Sequence, residues 1–384
     1  MSVRRPERLR GGHWEVDDRA ALLLRACIHP PDEGLTYWRQ WLATTPSLKT
    51  GHQGLLGLAY HRLHGIADGE PGFDAARAAF LAVWRSYQLR RRRLLSLLQV
   101  FGEAGIPTIL LKGFALASWY YSSPGARDMG DIDVLVPTTE AERARSVLID
   151  AGWSLNPLHQ GVLVRSDLRV RHGWSLRHEG VQTDLHWIPF PECRSPQLYS
   201  AIAARTQPVD VDGCPTAILD RSDQLVHVLV HAVSQHSSPR WVADACTILA
   251  RPVDWDRLRE VVEAAGIRVR VAAALVYLRD VFRAPVPDDV EAHLALNRAP
   301  AWEWRELEVL RPGTAPGLRR AMTWHLCHFR RCRPHDDTWS RLPAPVAFAD
   351  YLHARSGGRL VDRAVGVVLR RTPSSRVRWN DVGD

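Results

Sequence analysis

Three aspartates have the spacing of a metal-binding cluster. Asp131 and Asp133 stand two residues apart in Asp131-Ile132-Asp133-Val134-Leu135-Val136, which reads as a strand closed by Pro137. Alternate side chains of a strand share a face, so these carboxylates project together while Ile132 and Val134 go to the other side. Two acids in an apolar element repel one another, and a shared cation relieves the repulsion. Asp184 sits likewise in Val181-Gln182-Thr183-Asp184-Leu185-His186-Trp187, with His186 on its face. Oxygen ligands of this kind suit magnesium or manganese. Two-metal phosphoryl transfer uses such a cluster to hold nucleotide phosphates and activate the attacking oxygen. An isolated Asp-x-Asp is common and often marks no more than the polar face of an edge strand. The surrounding elements make this one more specific.

Those elements begin with a short apolar run at 106–111, read as a buried strand. The turn Lys112-Gly113 follows, then a helix over 114–121 and a loop over 122–130 containing Pro124, Gly125 and Gly130. After the 131–136 strand, Thr138 or Thr139 is placed to cap a helix reaching about 151, with Glu140 and Glu142 in its first turn. Residues 155–187 read as strands at 162–164, 170–176 and 181–187, with His178-Glu179-Gly180 as a hairpin turn. Helical periodicity fills 22–27, 38–42, 55–63 and a long stretch over 73–104 that Gly105 ends. It returns beyond about 215, most clearly over 220–235 and 240–250. The pattern predicts an α+β fold: an N-terminal helical region (1–104), a small mixed-sheet core (105–190), a C-terminal helical region (191–371) and a flexible tail (372–384).

The chain has 384 residues, 46% of them hydrophobic, with a formal net charge of +8. That balance suits a polyanionic partner, either a nucleotide phosphate or a nucleic acid. The positive charge is almost all arginine; Lys49 and Lys112 are the only lysines. Against that background Lys112 stands out as a candidate phosphate contact at the turn; otherwise it is a solvated loop residue. Arg127, four residues before Asp131, either grips a phosphate or pairs with one of the acids. Arg90 to Arg93 point four ways around a helix, so they form a solvated surface or a diffuse RNA contact rather than one recognition stripe. His227 and His231 share a helix face, for packing or for metal. Asp244 on the following helix could hydrogen-bond His231 or cap the cleft. Trp119, Trp153, Trp174, Trp187 and Trp241 read as core or cleft-wall aromatics. The six cysteines form no Cys-x-x-Cys pair, and the group His325, Cys327, His328, Cys332, His335 has no zinc spacing. No run of about 18 apolar residues predicts a membrane span, and the Arg-rich first 18 residues lack an apolar signal core. A cytoplasmic enzyme is the expectation.

The run Leu110-Leu111-Lys112-Gly113, then Tyr120-Tyr121, Arg127, Gly130-Asp131-Ile132-Asp133-Val134-Leu135-Val136 and Thr183-Asp184-Leu185-His186-Trp187 resembles the nucleotidyltransferase superfamily of DNA polymerase beta. It is most similar to the bacterial family of uncharacterised nucleotidyltransferases, whose helical part His231, Arg240-Trp241 and Asp244 also fit. The resemblance spans roughly 20–280. It implies that Asp131, Asp133 and Asp184 bind Mg2+ or Mn2+ and act in catalysis. It places Lys112, Gly113 and Arg127 near the triphosphate, with His231, Arg240, Asp244 and His186 as further candidates. The superfamily's turn is Gly-Gly or Gly-Ser, so Lys112-Gly113 departs from it, and the spacer to Asp131 is longer. The implied reaction moves a nucleoside monophosphate from an NTP, ATP first among them, to a small molecule, a peptide or protein, or an RNA end. Pyrophosphate is released, and the setting resembles natural-product or peptide tailoring. Two rivals remain at the level of sequence: a non-catalytic RNA-binding module, and an antitoxin-like partner protein on the same fold.

Overall fold

The computed structural model describes residues 6–44, 53–156, 168–234, 238–311 and 317–356. Four helices lead the chain: α1 (Asp18–Ile28), α2 (Pro31–Ala43), α3 (Gln53–Leu63) and α4 (Phe73–Glu103). Asp17 caps α1 by accepting from the amide of Ala20 at 2.8 Å. The 31 residues of α4 extend about 46 Å at 1.5 Å per residue, long enough to join two cores. Phe73 and Ala76 at its start pack with the N-terminal helices. Leu94, Leu97, Leu98 and Phe101 at its end pack on sheet residues Leu110, Ile132 and Val134. Gly105, with φ +63°, then turns the chain into the sheet.

The sheet contains β1 (Ile109–Leu110), β2 (Asp131–Leu135), β3 (Ser154–Leu155), β4 (Gly173–His178), β5 (Val181–His186), β6 (Gln207–Val211) and β7 (Cys214–Ile218), in the spatial order β3-β4-β5-β2-β1-β7-β6. Its central pair, β2 and β5, runs parallel, as does β1 with β7; the other neighbours are antiparallel. Helices α5 (Lys112–Trp119), α6 (Ala141–Asp150) and α7 (Pro196–Ala203) lie between the strands in sequence. An α+β fold with a mixed sheet is therefore what the chain forms.

Two local readings change. The sheet reaches past residue 190: β6 and β7, joined by Asp212 and Gly213 with φ +50° and +83°, complete it beside β1. Positive φ at both turn residues matches the twist of the flanking strands. Thr138 does not cap a helix. It lies in a 3-10 turn, Thr138–Glu140, and its hydroxyl donates to the carbonyl of Trp187 at 2.8 Å, tying the end of β2 to the end of β5. The expected strand at 162–164 and the tail from 372 lie outside the described residues.

The C-terminal helices are α8 (Arg221–Ser234), α9 (Arg240–Leu249), α10 (Trp255–Ala264), α11 (Arg268–Phe282), α12 (Val290–His293), α13 (Ala301–Val309), α14 (Gly317–Cys332), α15 (Asp337–Arg341) and α16 (Ala344–Ser356). Leu229, Trp241, Val271 and Leu275 share one core with Leu23, Leu24, Trp38 and Leu56. The helical regions before and after the sheet are thus one packed body, and α8 and α9 close over the polar face of β2 and β5.

Candidate active site

The parallel pairing of β2 with β5 sets Asp133 directly beside Asp184, and the antiparallel pairing of β4 sets Ser175 beside Asp184 on the other side. Period-two alternation then gives one face carrying Asp131, Asp133, Asp184 and His186. Ile132 and Val134 on the opposite face are fully buried against α4 and α6 residues. The polar face lines a cleft of about 350 Å³. Lys112, Arg127 and Arg240 line the same cleft, so anionic and cationic groups face a common space.

Asp133 is only 1% exposed. Its Oδ1 accepts from Lys112 Nζ at 3.0 Å and pairs with His186 Nε2 at 2.9 Å. Its Oδ2 is buried with no hydrogen-bond partner among the described residues. Burial alone would raise its pKa, but the Lys112 ammonium and the His186 hydrogen bond reverse this and hold the carboxyl well below the usual range. Asp184 Oδ1 accepts from Ser175 Oγ at 2.7 Å and Gln182 Nε2 at 3.1 Å. Ligand atoms of Asp133, Asp184 and His186 lie within 4.8 Å of one another. Asp131 lines the cleft beside them; burial, then the charges of Asp133 and Asp184, push its carboxyl up to about 6.

Lys112 is no solvated loop residue. Its side chain is 20% exposed and its backbone sits at φ +34°, a left-handed conformation that strains a residue with a Cβ. Burial disfavours its charge, yet the Asp133 carboxylate more than restores it, so the ammonium persists. A glycine is the unstrained residue at such a turn; here a lysine occupies it and delivers its charge to Asp133. Gly113 follows, and a Cβ there would press to 3.2 Å from Met129 Cβ and 3.3 Å from Arg127 Nη1.

Arg127 pairs with an acid, but with Asp244 rather than a β2 aspartate. Its Nε and Nη2 donate to the two Asp244 oxygens at 3.1 and 2.9 Å, and Tyr121 Oη donates to Oδ1 at 2.9 Å. Asp244 makes no bond to His231 among the described residues; it fixes Arg127 at the cleft wall. Arg240, at the start of α9, donates to the carbonyl of Asp128 and lies 3.6 Å from its carboxylate. Burial and the nearby Arg127 charge lower its pKa.

His231 lines the cleft, and burial with the Lys112 charge pushes it down to about 4. His227 and His172, held neutral by burial, line a smaller cavity with Lys112 and His186. His227 and His231 belong to no metal-ligand group among the described residues, so α8 presents neutral imidazoles behind the lysine. Trp153, Trp174 and Trp187 are core, whereas Trp241 forms cleft wall with its indole N–H given to the carbonyl of Trp14 at 3.1 Å. Sequence reasoning missed Ser175, Gln182, His172 and the role of Tyr121. The signal for Gln182 was its alternation with Asp184; Ser175 needed the hairpin register.

With this geometry in view, a sequence comparison is decisive: the family model of uncharacterised nucleotidyltransferases matches residues 50–283. The chain belongs to that family. No curated protein and no solved structure matches it. As a nucleotidyltransferase, it is an enzyme that transfers phosphorus-containing groups. The matched span contains every cleft-lining residue of the nucleotidyltransferase, from Lys112 to Asp244.

The arginine run and the His325 to His335 stretch make contacts within the fold. Arg90 donates to the carbonyl of Gly130, Arg91 pairs with Asp212 and Arg93 with Glu179. Three of the four guanidinium groups in that run therefore bind the protein's own loops and turns. In the His325 to His335 stretch, His328 Nδ1 meets Tyr351 Oη at 3.1 Å and Cys332 Sγ at 3.3 Å, inside a small aromatic cluster. No helix among the described residues is long and apolar enough to cross a membrane.

Proposed function

We propose that the nucleotidyltransferase moves a nucleoside monophosphate from an NTP to an acceptor, with ATP the first nucleotide to test and Mg2+ or Mn2+ as cofactor. The observation that carries this reading is Asp133. A buried, ionised carboxylate with one oxygen lacking any partner is costly unless a cation completes it. Asp184 and His186 stand within reach of the same point, and Asp131 lines the same cleft. That donor set, mostly oxygen, fits a hard divalent ion. A bound ion would polarise the phosphoryl oxygens and offset charge developing on the leaving pyrophosphate.

The chain's own groups do the rest. Lys112, Arg127 and Arg240 bind and orient phosphate oxygens, and the amide of Gly113 at the start of α5 adds a donor where the helix dipole favours negative charge. Arg127 is held in place by Asp244 and Tyr121. An acceptor oxygen attacks the α-phosphorus as the bond to pyrophosphate breaks, and Asp184 accepts the proton the acceptor releases. Ser175 and Gln182 orient that carboxylate. The acceptor is a small molecule, a peptide or protein, or an RNA end, in keeping with a tailoring role. The six free thiols suit a reducing cytoplasm.

The test is label transfer. Protein, magnesium and cell extract are incubated with each NTP labelled at the α- or the γ-phosphate. Label from the α-phosphate, retained on an acceptor and abolished by chelation, supports the reading. Label arriving only from the γ-phosphate would make the enzyme a kinase, and no transfer from any NTP would remove the reading.

A further inference from the structure

A second cavity, of about 340 Å³, lies behind the wall of the cleft. Tyr121, Asp244 and Arg127 form that wall: Arg127 and Asp244 line the cleft, whereas Tyr121 lines the second cavity. The floor is apolar, built from Cys27, Ile28, Leu58, Ala243 and Cys246 of α1, α3 and α9. The rim is polar and cationic. His61 Nε2 meets Ser122 Oγ at 2.7 Å, and the Thr247 and Tyr120 hydroxyls stand nearby. Arg62 and Arg251 line the cavity and have no side-chain partner among the described residues. Both are exposed, so they stand at the open rim of the cavity. No carboxylate lines it among the described residues.

The size falls in the range of small-molecule sites, and an apolar floor with a few convergent polar groups is their usual make-up. Guanidinium groups at a rim with no acid among its described lining residues favour an anion, and their planar fork matches a carboxylate. We propose that this cavity is a second binding site of the enzyme, for a small organic carboxylate with an apolar body, separate from the catalytic cleft. The apolar body fills the floor between α1, α3 and α9, and the carboxylate meets Arg62 or Arg251 at the rim.

The test reads binding and not turnover, so its outcome is independent of the nucleotidyl-transfer reading. Ligand-observed NMR is run on the full chain with matched pairs of probes: phenylacetate and phenylacetamide, indole-3-acetate and indole-3-acetamide, decanoate and decanamide. At least one acid should bind, with its amide weaker by about tenfold or more, the scale of a charge-assisted hydrogen bond. Arg62→Ala/Arg251→Ala should remove that preference. Ala250→Phe, which fills the cavity from its exposed edge, should abolish binding of acid and amide alike. Arg92→Ala, an exposed arginine on α4, should change nothing. Circular dichroism and thermal melts confirm that each variant is folded. Failure of every acid to bind, equal binding of acid and amide, or acid binding that survives both cavity variants would overturn the proposal.

Discussion

Removing the Asp244 carboxylate should leave Arg127 stranded. Both side chains are 7% exposed, and the acid accepts two guanidinium bonds and the Tyr121 hydroxyl. Breaking a buried ion pair from one side leaves the other charge uncompensated, at a cost of about 3–5 kcal/mol. Tyr121→Phe deletes one hydrogen bond to a charged group and keeps the pair, at about 1.5–3 kcal/mol. Arg127→Met/Asp244→Leu removes both charges together and should be less destabilised than Asp244→Ala. The order of loss is therefore Asp244→Ala first, with Tyr121→Phe and the double variant milder. Urea unfolding followed by tryptophan fluorescence measures it, with constant m-values as the check on two-state behaviour. An Asp244→Ala protein within about 1 kcal/mol of wild type, below the range for a broken buried pair, would refute the reasoning. So would a double variant less stable than the single one.

Acid should weaken the fold well above the carboxylate range. His172, His227 and His231 are held neutral by burial, whereas unfolded histidines titrate near about 6.5. As pH falls from about 6.5 towards 4, the unfolded chain gains protons that the native state refuses, so stability drops across that window. Asp131, raised to about 6, opposes this between 4 and 6, and Asp223 and Glu303, raised by burial, act in the same direction. But His29, His61, His325, His328 and His335, also lowered by burial, add to the three imidazoles named. Urea midpoints at pH 7.5 and 5 decide it; equal midpoints would contradict the placement of these imidazoles. Ser175→Ala and Gln182→Leu each remove a donor to Asp184 Oδ1 and should lower transfer roughly tenfold, the low end of the effect of outer ligand partners. Their thermal melts should match wild type, and unchanged transfer rates in both would mean that Asp184 needs no orienting.

Much of the site was legible because strand alternation is a rigid rule. Asp131 and Asp133 had to share a face, and once Asp184 with His186 was read as a neighbouring strand the acid cluster followed. The hairpin at Glu179-Gly180 was equally plain, and both residues take positive φ. The Asp212-Gly213 turn carried the same signal. Its strands, with Pro208 and Pro215, lack clean alternation, and those strands are the ones that extend the sheet past 190. The partner of Arg127 was not legible. Asp244 lies 117 residues away on another helix, and only tertiary packing brings them together. Nor was the conformation of Lys112: a lysine at φ +34° violates local preference, and what holds it there is Asp133, reached through the fold.

The central claim is that the β2 and β5 carboxylates bind nucleotide through a divalent ion. Calorimetric titration of ATP, with magnesium and with chelator, into wild type and Asp133→Asn tests it without needing the acceptor. Thermal melts are run in parallel, with Asp184→Asn as a second variant whose amide oxygen can still accept from Ser175 and Gln182. The account predicts magnesium-dependent binding by wild type, weakened by roughly 100-fold in Asp133→Asn, the scale of losing a key electrostatic contact, and weakened also in a fully folded Asp184→Asn. Nucleotide affinity that is the same with chelator as with magnesium, and unchanged in both variants, would contradict it.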